Sequence, residues 1–214
     1  FITDAGHELK TPITVIATSL KVLEMESGEN KWIDKSLAQT EKLRDLVNSL
    51  VSLSRMDEEQ SPLKMCDFSL SDAVSETVGS FADFAAVNGH MLTAEIAPEI
   101  LYHGDEYAIR QMVSILLDNA VKYASDGSPI RLTLEKGKKG PVLRTVNCCE
   151  GLTQQQADKL FDRFYRVDQS RTTGGFGIGL SMARSIAEGH KGSIKATCCE
   201  ENKIEFTVSL GKCV

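Results

Sequence analysis

The sequence predicts an α+β multi-domain protein: a helical hairpin that pairs with a second copy as a four-helix bundle, followed by an α/β two-layer sandwich. Three observations predict it. Apolar residues recur at spacings of three and four through the first part of the chain, short strands alternate with amphipathic helices through the second, and a polar stretch with Pro62 separates them. The predicted domains are residues 1–60 and 63–214.

The hairpin is predicted from two amphipathic patterns. The first runs from residue 6 to about residue 26, a Ser-Gly-Glu-Asn breaker occupies 27–30, and the second pattern continues from Ile33 to Leu53. Pro12 is expected to bend the first helix. Because a lone hairpin has too little core to bury both apolar stripes, we expect a homodimer.

The second region shows strand and helix patterns in alternation. A polar hinge is predicted over 57–63, and the region 151–176 reads as loop with one short helix. Strands are predicted at 68–70, 91–96, 130–135, 142–146, 193–197 and 204–210, and helices at 71–87, 105–124 and 178–188.

Composition excludes some classes of function. A net charge of −6 and a pI near 5.3 lack the basic footprint of a nucleic-acid surface, so no nucleic-acid partner is expected. No apolar run approaches the ~20 residues of a membrane span, and the chain opens without a signal-peptide pattern or Met. We therefore interpret it as a fragment whose membrane attachment lies in segments outside this sequence. The six cysteines show no paired Cys-x-x-Cys spacing, which favours reduced thiols in a cytosolic protein.

The opening run His-Glu-Leu-Lys-Thr-Pro combines groups suited to accepting a phosphoryl group. His7 is largely neutral near pH 7 and offers a nucleophilic lone pair, while Glu8 beside it would fix the tautomer and share developing charge. Thr11 falls one helical turn later on the same face as His7. These three residues are the predicted catalytic group.

Two further features suit a nucleotide. Asn119 and Lys122 lie one turn apart on one predicted helix, where they suit Mg²⁺ and phosphate, although on spacing alone a solvated polar face explains them better. The glycine-rich run 174–179 leads into a helix whose N-terminal N–H groups attract anions. It neither follows a strand in a βαβ unit nor ends in Gly-Lys-Ser/Thr, so the dinucleotide and P-loop interpretations fail.

Together with the His-Glu-Leu-Lys-Thr-Pro run, the segments 116–124, 160–166 and 174–183 resemble, in order, the acceptor, asparagine, phenylalanine and second glycine boxes of two-component sensor histidine kinases. The resemblance implies a dimerisation and phosphoacceptor domain at 1–60. It implies an ATP-binding domain of the histidine kinase/Hsp90-like type at 63–214, with an ATP lid over 149–176. Both ATP and Mg²⁺ are implied as cofactors.

The resemblance also assigns roles to single residues. It implies that His7 accepts the γ-phosphoryl group, that Asn119 holds Mg²⁺, and that Arg163 and Arg171 are candidate lid cations. The residues it places at the nucleotide are Asn119, Lys122, Tyr123, Asn147, Gly151, Arg166, Gly175, Gly177, Gly179 and Leu180.

Three positions depart from the family pattern. Asn147 stands where the family has an adenine-binding Asp, and the neutral acceptor should bind more weakly by about 1 kcal/mol. Cys149 replaces a glycine, and Ile115 replaces a second asparagine. These departures are expected to affect nucleotide affinity more than the fold.

The resemblance implies a kinase core that uses Mg-ATP to phosphorylate its own His7, passes the phosphoryl group to an Asp of a response-regulator receiver domain, and acts as that regulator's phosphatase through Thr11. Such a core is the cytoplasmic portion of a membrane-bound sensor. Two alternatives stay open: a non-kinase ATPase, and a non-enzymatic or phosphatase-only signalling scaffold with impaired nucleotide binding. The other histidines, His90, His103 and His190, are expected at surface or turn positions without a role.

Overall fold

The computed structural model describes residues 2–28, 30–57, 63–167, 176–199 and 202–212. The chain divides into two compact units, Phe1–Pro62 and Leu63–Val214. The predicted helical hairpin followed by a two-layer α/β region is confirmed. None of the helices in the described ranges is both long and apolar enough to cross a membrane.

The first unit is a pair of helices, α1 (Ile2–Ser27) and α2 (Lys31–Asp57), packed against each other. α1 closes on Gly28, which has a positive φ of 74° and donates its N–H to Glu24 O at 2.9 Å. Asn30 then caps α2 by accepting the Trp32 N–H at 2.9 Å. The predicted breaker is therefore a glycine stop followed by an asparagine cap. Pro12 lies inside α1, which is helical on both sides of it.

Few of the described side chains in the hairpin are buried. Among its described side chains, Ile13 and Val47 are the buried apolar ones, and Thr40 is buried with its hydroxyl bonded to Ser36 O. In contrast, Leu9, Ile16 and Leu23 are 50%, 49% and 47% exposed. Since these three recur every seven residues, they form one uncovered apolar stripe along α1.

The second unit is built on a five-stranded sheet of order β2-β4-β5-β7-β6, in which β2 and β4 are parallel and the other neighbours antiparallel. A separate two-stranded antiparallel sheet pairs β1 with β3. The strands are β1 (Cys66–Ser69), β2 (Leu92–Ile96), β3 (Leu101–Gly104), β4 (Ile130–Gly137), β5 (Gly140–Cys148), β6 (Ser193–Cys199) and β7 (Lys203–Ser209), and the helices are α3 (Leu70–Val87), α4 (Glu106–Tyr123), α5 (Gln154–Lys159) and α6 (Gly179–Gly189).

One face of the five-stranded sheet carries the core. Along β5 every second side chain is buried, and the same alternation runs along β7. The helices cover this face, with α4 against β5 and α6 against β6, so the unit has two layers. The row of buried side chains on β5 ends in two polar residues, Thr145 and Asn147, so Asn147 is a buried polar group at the end of this strand.

Strand β3 is absent from the sequence prediction. It has four residues, and its side chains alternate between exposed and buried, with Tyr102 in the core. A run this short with one large apolar anchor gives no periodic signal, and pairing with β1 is what makes it a strand.

Two of the remaining histidines, expected at surface or turn positions, are not at the surface, although His190 lies in the turn that ends α6. His90 and His190 are buried, and both ring nitrogens of His190 are hydrogen-bonded. His103 is exposed but lies 2.6 Å from Asp67 through Nδ1, because β1 and β3 place these residues opposite each other. The sequence separation of the strands hid this acid partner.

Candidate nucleotide-binding and phosphoacceptor sites

Asn147 is the buried polar residue at the end of β5. Its side chain is 2% exposed, and its Nδ2 donates to Cys148 O at 3.2 Å. Among the described residues, no donor reaches its Oδ1. A buried acceptor without a donor typically costs about 1–3 kcal/mol. The position is therefore ready for a ligand that brings an N–H group.

Among the described residues, no side chain caps the N-terminus of α6. Ile178 occupies the N-cap position and has no side chain that could cap, and Gly179 at the first helical position is exposed. The hydroxyl of Ser181 bonds the Ile178 carbonyl at 2.7 Å, so it satisfies an acceptor and leaves the first N–H groups free of side-chain caps. Such an end attracts phosphate oxygens.

Gly177 has a local backbone reason to be glycine. Its φ is +70°, and a Cβ there would lie 2.7 Å from Tyr165 O. Its carbonyl accepts the Phe164 N–H at 2.8 Å, which closes the base of the loop that precedes α6. Gly175 and Arg171, both predicted at the nucleotide, lie outside the described residues.

Helix α4 carries the predicted metal residue next to α6. Asn119 is half-buried, and its side chain makes no hydrogen bond within the described part of the chain. Lys122 is directed to Asp118, with Nζ 2.6 Å from Oδ2. A Cβ at Gly179 would lie 3.4 Å from Ile115 Cγ2, an ordinary van der Waals contact, so the first turn of α6 lies beside Ile115 of α4. Tyr123, at the end of α4, is exposed.

The first half of the predicted lid is fastened to the sheet. Gln154 donates through Nε2 to Ala196 O at 3.0 Å and accepts the Cys198 N–H at 2.9 Å through Oε1. Phe161 meets Phe206 of β7 edge-on at 6.2 Å between ring centroids. The segment from Gln154 to Phe161 is therefore held against β6 and β7.

The backbone after β5 accommodates the residues that depart from the family pattern. Gly151 has a φ of +73°, whereas Cys149 is not among the residues with positive φ. Cys149 donates its N–H to Asn202 O at 2.6 Å, and burial raises the pKa of its thiol. The glycine of the family pattern is thus not required at 149. Arg166 is half-buried with polar partners, Arg163 is exposed, and Leu180 is buried.

In the separate hairpin unit, positions 7, 8 and 11 all lie within α1. The side chains of His7 and Glu8 lie outside the described ones. Thr11 is exposed, one helical turn after position 7. The acceptor residues are thereby placed on one helix, in a unit distinct from the one that carries Asn147 and α6.

Comparison with known families decides what this arrangement is. Residues 104–212 match the family described as histidine kinase-, DNA gyrase B-, and HSP90-like ATPase. The chain belongs to this family. Residues 1–59 match the His kinase A phospho-acceptor domain. The two matches in this order make the chain the core of a two-component sensor histidine kinase, as the sequence motifs predict.

The relatives of this histidine kinase core agree. It is 34% identical over 211 residues to the sensor protein DltS of Streptococcus agalactiae, covering 98% of this chain and 53% of that protein. It therefore spans about half the length of that curated relative. Two solved structures share the fold: AdeS of Acinetobacter baumannii (TM-score 0.69, 23% identity, 96% of this chain and 97% of that chain) and full-length ShkA in complex with AMPPNP (TM-score 0.82, 16% identity, 100% and 46%).

Sequence reasoning missed Asp105. It is the N-cap of α4 and accepts the Ala108 N–H through Oδ1 at 3.0 Å, while its Oδ2 accepts the Lys64 N–H at 2.9 Å. An Asp placed directly before an amphipathic run is a helix-start signal, and this signal identifies the cap. Only the fold reveals its second bond, across forty-one positions of sequence.

Proposed function

We propose that the chain is an ATP-dependent protein-histidine kinase core, in which residues 63–214 bind Mg-ATP and phosphorylate His7 in the dimerisation and phosphoacceptor domain 1–60. The observation that carries the proposal is the buried, unpartnered Oδ1 of Asn147. The 6-amino group of adenine supplies the donor that this oxygen lacks. Guanine has a carbonyl oxygen at that position, which would face Oδ1 unfavourably.

The residues available for the triphosphate fit the same ligand. The uncapped N–H groups at Gly179 and Leu180 suit phosphate oxygens, and Asn119 offers an amide oxygen to Mg²⁺. Within the described residues, no group of three or more His, Cys, Asp or Glu side chains is placed to hold a metal. Mg²⁺ would therefore depend on Asn119, water and the nucleotide itself, as this ion prefers.

Several further residues are proposed to line the nucleotide. Lys122 reaches a phosphate once it leaves Asp118, which is a small rearrangement because both side chains are more than one-third exposed. Gly151 and Gly177 shape the turns on either side of the lid. Tyr123, Arg166 and Gly175 complete the proposed set.

The chemistry assigned to the hairpin is nucleophilic. Mg²⁺ supplies charge neutralisation of the triphosphate. The unprotonated ring nitrogen of His7 attacks the γ-phosphorus in line, the new N–P bond forms as the bond to the β–γ bridging oxygen breaks, and ADP leaves. Glu8 holds the proton on the other ring nitrogen and stabilises the positive ring that results. Positioning by the sandwich provides most of the rate.

The remaining roles concern partners. The phosphoryl group of His7 is proposed to pass to an Asp of a response-regulator receiver domain. Exposed Thr11 would orient a water for the reverse signal, hydrolysis of that aspartyl phosphate. The stripe Leu9-Ile16-Leu23 supports homodimerisation, since a second copy would bury it. We further propose that the chain is the cytoplasmic portion of a membrane-bound sensor.

Calorimetric titration with nucleotide tests the sandwich half of the proposal. The whole chain should bind Mg-ATP more tightly than Mg-GTP. Asn119→Ala should bind ADP without metal like the parent chain, yet lose the added affinity that Mg²⁺ gives ATP. No binding at millimolar Mg-ATP would contradict the kinase and favour the alternative, a phosphatase-only or non-enzymatic scaffold.

A further inference from the structure

The first residues of the sandwich are held by a hydrogen bond and a side-chain contact. Lys64 donates its N–H to Asp105 Oδ2 at 2.9 Å, and Met65 donates its N–H to Leu63 O at 2.9 Å, which turns the chain sharply. Leu63 packs against the backbone of Gly189, where an added Cβ would lie 3.1 Å from Leu63 Cδ1. We call the contacts of Leu63 and Lys64 with Asp105 and Gly189 the clip.

His190 holds the clip from inside. It is 3% exposed, its Nε2 accepts the Asp105 N–H at 2.9 Å, and its Nδ1 faces Ile186 O at 2.8 Å. Because a backbone N–H can only donate and a carbonyl can only accept, His190 is neutral and carries its proton on Nδ1. Both ring nitrogens are thus committed to fixing Asp105 relative to the end of α6.

The residues packed around His190 restrict the movement of its ring. A Cβ at Gly104 would lie 2.6 Å from the ring of Tyr102 and 2.9 Å from His190 Cδ2. The His190 carbonyl accepts from Tyr102 Oη at 3.4 Å and from the Gly211 N–H at 3.3 Å. The clip therefore rests on a rigid base.

The clip joins the far ends of the two helices that carry the proposed nucleotide residues. Helix α6 runs from Gly179, proposed at the phosphates, to Gly189 in the clip, a length of roughly 16 Å. Helix α4 runs from its cap Asp105 in the clip to Asn119 near its other end. The two helices pack on each other, so a displacement at the nucleotide ends reaches Leu63 and Lys64 through rigid elements.

We propose that Asp105 and His190 are positioning residues for the phosphorylation of His7. Through the clip they set the direction in which the chain leaves the ATP-binding unit, and they couple nucleotide binding to the approach of that unit to His7. This inference rests on the proposed function for its consequence, but the clip itself does not. Neither residue touches the nucleotide. Substitution of either residue should slow the phosphorylation of His7 without weakening the binding of Mg-ATP.

Gly189→Ala tests the proposal in the whole chain. The new methyl group wedges against Leu63, while alanine suits a helix better than glycine, so the fold should be kept. Gly79→Ala is the matched control, because Gly79 lies in α3 with nothing within 4 Å of an added Cβ. We expect Gly189→Ala to bind Mg-ATP within twofold of the parent chain and to form phosphohistidine at least fivefold more slowly. Gly79→Ala should match the parent chain in both.

A double variant separates the wedge from general damage. If the effect travels through Leu63, adding Gly189→Ala to Leu63→Ala should change nothing further, since no side chain remains to be pushed. A second, full decrease in the Leu63→Ala background would overturn the proposal. So would a Gly189→Ala chain that phosphorylates as fast as Gly79→Ala.

Amide exchange of Lys64 tests the clip without any kinase activity. Asp105→Asn keeps an oxygen to cap α4 but replaces the second acceptor with an NH₂ group, so the Lys64 amide should exchange about tenfold faster while Ala108 stays protected. An unchanged amide exchange rate at Lys64 would show that the bond to Asp105 does not hold this segment, and would overturn the proposal. If the parent chain formed no phosphohistidine, the proposed function would fail, and this measurement would still decide the clip.

Discussion

The hairpin and the sandwich bury their apolar side chains to very different extents. In the sandwich, helices α4 and α6 and the inner face of the sheet form a continuous core whose side chains include Leu116, Leu132 and Phe206, all nearly inaccessible. In the hairpin, Ile13 and Val47 alone are buried among the described apolar side chains, and the stripe Leu9-Ile16-Leu23 faces outward. We therefore expect the sandwich to fold alone, and we propose that the hairpin needs a second copy of the chain to cover its stripe.

This difference matches the proposed division of labour. A nucleotide site needs fixed donors and acceptors, and a buried core holds Asn147 in place. A phosphoacceptor has to be reached by the sandwich and by a receiver domain, so it belongs on an exposed helix. Thr11, one helical turn after the proposed acceptor position 7, is exposed on α1.

The largest expected effect breaks the hairpin's association. Ile16→Glu combined with Leu23→Glu places two charges on the stripe and removes about 4 kcal/mol of apolar burial, or about a thousandfold in the dimer dissociation constant. Sedimentation equilibrium should show a monomer. Ser19→Glu, an exposed polar position on the same helix, is the control and should stay dimeric. A double variant that remains dimeric would show that the stripe is not the interface.

The next effect tests the self-sufficient core. Leu116→Ala removes a fully buried side chain from α4 and should lower the free energy of unfolding of the sandwich by about 3 kcal/mol. Leu9→Ala, a half-exposed site in the hairpin, should leave the sandwich transition unchanged. Urea denaturation followed by circular dichroism distinguishes the two. Equal shifts in the sandwich transition would mean that the units unfold as one.

How much of this could be predicted from the sequence depends on the range of the interactions. Long amphipathic patterns such as the one in α4 predict their helices, and the four ordered motifs predict the family. Strand β3, the buried His190 and the second bond of Asp105 depend on pairings between distant segments. No local pattern records those contacts.

The candidate nucleotide site could likewise be predicted only in part from the sequence. Resemblance alone identifies Asn147 as a substituted adenine contact, and the fold adds that its oxygen is buried without a donor. The sequence suggests that Cys149 disturbs the lid, but its backbone φ is not positive. Lys122, predicted at the phosphates, is paired in the fold with Asp118, which lies four residues earlier on the same helix.

A smaller effect separates binding from stability within the sandwich. Asn147→Leu removes the unpartnered acceptor, so the free energy of unfolding should rise by about 1 kcal/mol while Mg-ATP affinity falls at least tenfold. Thr145→Val removes another buried, unpartnered oxygen two residues earlier and should stabilise the chain without loss of affinity. Denaturation and calorimetry on both variants check this. Normal ATP binding by Asn147→Leu would show that Asn147 does not contact adenine.

The smallest effect concerns the thiols beside the site. Burial raises the pKa of the Cys149 and Cys198 thiols, so less of each is thiolate at neutral pH, and alkylation should be several-fold slower than at exposed Cys66 and Cys199. The rates should converge only as pH rises through the raised pKa. Peptide mapping after timed iodoacetamide treatment measures this. Equal rates at pH 7 would show that the edge near β5 is open to solvent.

Incubation of the whole chain with Mg²⁺ and γ-labelled ATP, beside His7→Gln, tests the kinase most directly. We expect the parent chain to take up label that is lost in acid and kept in alkali, as phosphohistidine is, and His7→Gln to take up none. Label that survives acid, or equal label in His7→Gln, would contradict His7 as the acceptor. Absence of label from a dimeric, ATP-binding parent chain would contradict the kinase itself.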